Sequence, residues 1–123
     1  MNPIRRPGID SILDSLRRIS GRRRIPAATY RVQFNRDFTF RDAQALVDYL
    51  NELGVTDIYA SPCFKACSGS RHGYDICDPT QFNPELGDAE DFAAFSAVCQ
   101  ASGVGLILDV VPSHLGIRDA SNV

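Results

Sequence analysis

Val104–Val111 reads VGLILDVV, and Pro112, Ser113 and His114 follow it directly. The run is nearly all apolar, yet far shorter than the roughly 20 residues a membrane-spanning helix needs. A strand of a parallel sheet, covered on both faces, shows this continuous pattern rather than alternation. Upstream, Asp88 is placed to cap a helix, with Asp91 at its third position. Phe92, Phe95, Val98 and Cys99 form its apolar face, and Gly103 stops it. Val55–Ala60 (VTDIYA) reads as an earlier strand. Before it, Thr39 caps a helix whose stripe is Phe40, Ala43, Leu46, Val47, Leu50 and Leu53, with Gly54 as the stop. Thr29–Phe34 (TYRVQF), rich in β-branched and aromatic residues, reads as the first strand. The order strand, helix, strand, connection, helix, strand predicts an α/β protein built of right-handed βαβ units on a parallel sheet.

Sites in such folds gather at the C-terminal ends of the strands. There the sequence places Asp109 and His114 after its third strand and Arg71, His72, Tyr74 and Asp75 after its second. An Asp in an apolar strand needs a partner, so Asp109 is expected to meet an Arg or a set of hydrogen-bond donors. His114 is open to three roles: general base, metal ligand, or donor to a polar ligand. The connection from Ser61 to Gly87 is long and polar, holds three prolines and three glycines, and shows no helical stripe. Connections of that length are often functional. Its RHGYD stretch, Arg71–Asp75, sets a flat aromatic among polar groups, a composition that fits a sugar ring and its hydroxyls. Asp75 and Asp78 could pair as carboxylates, although Asp78 before Pro79 reads more simply as the start of a turn.

The chain has 123 residues, 44% hydrophobic and 23% charged, with a formal net charge of −2. These are the values of a single globular domain. The first 25 residues carry seven Arg against two Asp, while the rest is acidic. This asymmetry separates a basic extension, residues 1–24, from a body spanning 25–123. Ile9, Ile12, Leu13, Leu16 and Ile19 recur at helical spacing, so the extension should form a short amphipathic helix. Arg22–Arg24 follow it. The expected role is a solvated segment that packs on its own domain rather than a nucleic-acid or membrane contact. No secretory h-region is present. The four cysteines, Cys63, Cys67, Cys77 and Cys99, fit a reducing, cytoplasmic compartment. Cys63, Cys67, His72 and Cys77 fall close together, but they lack the paired C-x2-C of common zinc sites, so small buried thiols are expected and no metal. No phosphate-cradling glycine loop or Ser nucleophile elbow is present.

Asp109–His114, DVVPSH, resembles the first signature, D-x-x-x-N-H, of the alpha-amylase family (glycoside hydrolase family 13). Longer stretches narrow the resemblance. Ile25–Gly54 (IPAATYRVQFNRDFTFRDAQALVDYLNELG), Thr56–Ala66 (TDIYASPCFKA), Gly69–Gly87 (GSRHGYDICDPTQFNPELG) and Gly103–Ile117 (GVGLILDVVPSHLGI) are similar to those of the maltooligosyltrehalose synthases, a branch of that family. The likeness begins near Ile25 and leaves out the basic extension.

The resemblance implies a catalytic (β/α)8 barrel, of which these residues form about the first three β/α units. It implies intramolecular transglucosylation, in which the reducing-end α-1,4 bond of a maltooligosaccharide becomes an α,α-1,1 bond. The chemistry is a retaining double displacement through a covalent glucosyl-enzyme, without cofactor. His72 and Tyr74 match the residues that line the sugar subsite beside the cleaved bond, with Tyr74 stacking on the ring. His114 matches the signature His that hydrogen-bonds the same glucose. Asp109 matches the signature Asp that positions a catalytic-site Arg. Asp75 and Arg71 belong to the same synthase-like stretch. Ser113 stands where the signature has Asn, which puts the support of His114 in question, and Cys63 replaces an expected aromatic. A full barrel takes about 250 residues. The family's nucleophile Asp, acid/base Glu and second Asp sit on later strands, so no catalytic residue is expected here. The chain alone is expected to be inactive, with a maltooligosaccharide and the remainder of its own barrel as partners. The alternatives are another glucan hydrolase or transferase of the family, or a non-catalytic sugar-binding remnant.

Overall fold

A computed structural model of the chain describes residues 7–21 and 24–116. The elements in order are α1 (Pro7–Gly21), β1 (Thr29–Val32), α2 (Phe40–Glu52), β2 (Asp57–Ala60), β3 (Phe64–Ala66), β4 (Ile76–Phe82), α3 (Ala89–Ala101) and β5 (Gly105–Leu108). β1, β2 and β5 form a parallel sheet with β2 at its centre. The register aligns Tyr30, Ile58 and Leu106 across one face and Arg31, Tyr59 and Ile107 across the other.

The first of those faces is the core side. Val32, Phe34, Ile58 and Ala60 are buried there with Phe40, Ala43, Val47 and Leu50 of α2 and Phe95 and Cys99 of α3. Phe34 meets Phe40 and Phe95 edge-on, with ring centroids 5.1 and 6.0 Å away. Both helices begin as expected. The Asp42 carboxylate accepts from the Thr39 N–H at 2.8 Å, and the Asp88 carboxylate accepts from the Asp91 N–H at 2.8 Å. The Thr39 hydrogen bonds hold the Asp42 carboxyl below the usual range, and Asp91 is held below it first by the Arg41 guanidinium and then by the Asp88 N–H. Arg41 ties the helices together through the Asp91 carboxylate at 2.7 Å.

Four expectations are corrected. The strands are shorter than their apolar runs, because a strand ends where its ladder partner ends. Phe34 leaves β1 and gives its N–H to the Ser61 hydroxyl at 2.8 Å. The connection from Ser61 to Gly87 holds an antiparallel ribbon of β3 and β4. Two register shifts and Pro79 inside β4 hide the alternation that would have revealed it. β5 is not covered on both faces among the described residues, since Ile107 and Leu108 are 37% and 44% exposed at the edge of the sheet. Finally, α1 forms, but Ile9, Ile12, Leu13 and Leu16 are exposed rather than packed on the domain. The Ile19 side chain, Arg22 and Arg23 lie outside the described residues. Arg24 is described, and it forms an ion pair with the buried Asp57 at 3.4 Å, anchoring the chain at the start of β2. Among the described residues, no helix is long and apolar enough to cross a membrane.

Candidate functional site

Arg31 of β1 and Gln33, one residue past its end, lie on the same side of the extended chain because side chains alternate. The Gln33 side-chain amide donates to the carbonyls of Arg71 and His72, both at 3.2 Å. Its oxygen accepts from Arg31 at 3.1 Å, and Arg31 donates to the Tyr74 hydroxyl at 2.8 Å. The end of β1 therefore grips the RHGYD loop twice, by its backbone and by its phenol.

Asp109 lies one residue beyond β5, its N–H bonded to the Ala60 carbonyl at 3.0 Å. Its carboxylate accepts from the Tyr74 hydroxyl at 2.6 Å and the Tyr59 hydroxyl at 2.9 Å. The expected partners are thus two phenols, with Arg31 one hydroxyl further out. The Arg31 guanidinium also lies 5.3 Å from the centre of the Tyr59 ring. Donating to Asp109 pushes the Tyr59 phenol up from its ordinary value, because the carboxylate favours the protonated donor.

His72 lies nearly parallel to Tyr74, with ring centroids 6.0 Å apart and planes at 20°. Its Nδ1 accepts from the Tyr74 N–H at 3.0 Å, so in the neutral ring the proton sits on Nε2. His114 is held at both nitrogens. Its Nε2 lies 3.2 Å from the Tyr74 carbonyl, which can only accept, so this nitrogen carries the proton and Nδ1 accepts from the Ser113 hydroxyl at 3.2 Å. Ser113 therefore supports the imidazole directly. The Gly116 N–H returns to the Ile76 carbonyl at 2.6 Å, closing the segment after His114 against β4.

His72, Tyr74, Asp75 and His114 line one cleft of about 370 Å³, together with Cys67 and Leu115. These four are the side chains singled out in the sequence as sugar-binding. The Asp75 carboxylate takes the Ser70 hydroxyl, and Asp78 takes Thr80 and Gln81, so each has its own partners rather than forming a carboxylate pair. Those bonds hold Asp78 down to about 2. Asp78 sits within β4, not in a turn. Arg71 is not among the residues that line the cleft and forms an exposed ion pair with Asp37 in the turn after β1. Arg31, Gln33 and Tyr59 were missed from sequence. The signal for the first two was available in the alternation of TYRVQF, where Val32 and Phe34 are core and Arg31 and Gln33 share the opposite face.

All four cysteines are buried, and none forms a disulfide. Burial pushes the Cys63 thiol up to about 12 and Cys99 to about 11. Among the described residues, no group of three or more His, Cys, Asp or Glu is arranged to hold a metal ion.

The profile described as "Alpha amylase, catalytic domain" matches residues 43–121. The chain belongs to the alpha-amylase family. It is 50% identical over 95 residues to a "Putative maltooligosyl trehalose synthase" of Mycobacterium tuberculosis, covering 73% of this chain and 12% of that relative. Among solved structures it is similar to the maltooligosyltrehalose synthase from Arthrobacter ramosus. That match has a TM-score of 0.77 and 39% identity, and covers 79% of this chain and 13% of the other. A hypothetical maltooligosyl trehalose synthase of Sulfolobus tokodaii matches with a TM-score of 0.74 and 37% identity, covering 80% and 14%. The chain thus spans about an eighth of the length of these relatives. Its parallel sheet with α2 and α3 on one face is the first part of the alpha-amylase family's (β/α)8 barrel.

Proposed function

We propose that this chain is the opening portion of a maltooligosyltrehalose synthase-type glucosylmutase, residues 1–24 being a basic extension and 25–123 the start of the catalytic barrel. The observation that carries the reading is the fixed Tyr74 ring beside the His72–His114 cleft. The ring offers an apolar face to one glucose of a maltooligosaccharide, and the Nε2–H of His72 offers a donor to its hydroxyls. His114 spends its own proton on the Tyr74 carbonyl, so it holds the loop and presents its ring edge to the same sugar.

The reaction is an intramolecular transfer. A carboxylate from a later strand attacks the anomeric carbon at the reducing-end α-1,4 bond, and a carboxylic acid protonates the departing glucose oxygen. That glucose stays bound, turns, and attacks the glucosyl-enzyme with its anomeric hydroxyl, giving the α,α-1,1 bond. The pocket must exclude water between the two steps. Asp75 and Asp109 are engaged by Ser70 and by two phenols, which supports binding and positioning roles rather than nucleophilic ones. With the nucleophile and the acid assigned to later strands, the 123 residues alone should be inactive. Four buried thiols without a disulfide support a cytoplasmic setting.

The test is to incubate the full-length enzyme with maltopentaose and follow reducing ends, free glucose and the anomeric NMR signals. Reducing ends should fall without matching glucose release as a 1,1-linked signal grows. Rising reducing ends with no such signal would make the enzyme a hydrolase of the same family.

A further inference from the structure

The structure assigns Arg31 as a positioning residue that fixes the hydroxyl end of Tyr74, and with it where the ring sits in the cleft, a role that rests on the proposed function for its consequence and on geometry for its existence. A phenol has one proton to give and lone pairs to receive. Tyr74 gives its proton to Asp109 at 2.6 Å and receives from Arg31 at 2.8 Å. The two bonds come from different strands, β1 and the end of β5, and hold the hydroxyl between them. Swinging the ring about χ1 would break both bonds, while a turn about χ2 leaves the hydroxyl oxygen in place and is met instead by the His72 ring, nearly parallel at 6.0 Å.

Arg31 is itself constrained. Gln33 accepts from one arm of its fork, and the Tyr59 ring lies 5.3 Å beneath it. Tyr59 donates to the same Asp109 oxygen that receives Tyr74. The guanidinium, two phenols and one carboxylate therefore close a ring of contacts across all three strands. A Lys in place of Arg31 carries the charge but offers no planar fork, and cannot serve Gln33 and Tyr74 together.

The role matters most for a reaction that must retain a cleaved glucose while it turns. A loosened Tyr74 ring would let that sugar leave or water enter. Losing Arg31 should therefore lower kcat and also raise the share of turnovers that end in free glucose.

The experiment is a double-mutant cycle in the full-length enzyme, with Arg31→Gln, Tyr74→Phe and the pair, read as kcat, KM and the ratio of glucose to 1,1-linked product. Arg31→Gln should lower kcat by about ten- to a hundredfold, the scale of a misplaced substrate-positioning group, and raise the glucose ratio. Tyr74→Phe keeps the ring but loses both bonds, so it should act similarly, and the pair should be little worse than either alone. Effects that multiply, or an Arg31→Gln enzyme with unchanged kcat and product ratio, would overturn the assignment. If Arg31→Gln does not fold, Arg31→Lys carries the same cycle with the same readouts. A wild-type enzyme that only hydrolyses would remove the proposed function, yet the coupling of Arg31 to Tyr74 in kcat would still decide this assignment.

Discussion

Gly73 stands between the two rings of the cleft, His72 and Tyr74, and its replacement by alanine separates two costs that usually arrive together. Its φ is +78°, and a Cβ there would lie 2.9 Å from the Pro62 carbonyl oxygen, about 0.5 Å inside ordinary contact. Pro62 is fully buried just after β2, so that oxygen has little room to retreat. Gly69, in the same connection, has a φ of +75°, but a Cβ there would meet nothing within 4 Å. Gly69→Ala therefore measures the left-handed backbone alone, about 1–2 kcal/mol. Gly73→Ala meets that cost plus the contact. It must either lose more stability or lift the loop by a few tenths of an ångström, which would lengthen the Tyr74 bonds to Arg31 and Asp109. Urea denaturation and maltooligosaccharide turnover of both variants, made in the full-length enzyme, are the assays. We expect Gly69→Ala to keep activity within about twofold, and Gly73→Ala to lose about tenfold or more in kcat/KM, the scale of sub-ångström misplacement. If the two variants match in both stability and activity, the Pro62 contact does not hold the loop and the reasoning fails.

Three further outcomes follow from the packing and the charges. Phe95→Ala removes a fully buried ring that touches Phe34 and Phe92, and should cost about 3–5 kcal/mol in urea unfolding; a loss under about 1 kcal/mol would mean the site collapses around the gap. Asp78 has its folded value lowered to about 2 by Thr80 and Gln81, so its stabilising effect is full above about pH 4 and fades as pH falls toward 2. The stability gap between wild type and Asp78→Ala should therefore narrow across that window, and a gap independent of pH would refute the hydrogen-bond account. Cys63 and Cys99, pushed up to about 12 and 11 by burial, should resist iodoacetamide at pH 8 until urea unfolds the chain; rapid native labelling, read peptide by peptide, would contradict their burial.

The elements that were legible in the sequence are those with long, one-sided apolar stripes and local punctuation. Thr39 and Asp88 cap where expected because capping is decided within four residues. Of the expected stripe, Phe40, Ala43, Val47 and Leu50 are buried and Leu46 partly so, while Leu53 at the helix end is exposed. The β3–β4 ribbon escaped notice because its pairing is irregular and its sequence, ICDPTQF, carries a proline and no clean alternation. His72, Tyr74, Asp75 and His114, which line one cleft, could be singled out because they crowd two loops of the sequence. Arg31 and Tyr59 were not, because their meaning depends on register: they are neighbours only once β1 and β2 align as Arg31 opposite Tyr59. The exposure of Ile9, Ile12, Leu13 and Leu16 was equally illegible, since periodicity tells which face of α1 is apolar but not what lies against it.

Register also explains why the core and the site are one problem. A slip of one residue in a strand turns every side chain to the opposite face. On β1 it would bring Arg31 and Gln33 into the layer now filled by Val32 and Phe34, beside Phe40 and Phe95. On β2 it would exchange Ile58 and Ala60 for Tyr59. The buried face thus enforces the alignment by the cost of burying a guanidinium without partners. The opposite face enforces the same alignment, because only there does Arg31 reach the Tyr74 hydroxyl while Tyr59 and Tyr74 share the Asp109 carboxylate. Each face penalises the slips the other penalises, so the Tyr74 ring is placed by the same choice of register that closes the hydrophobic layer.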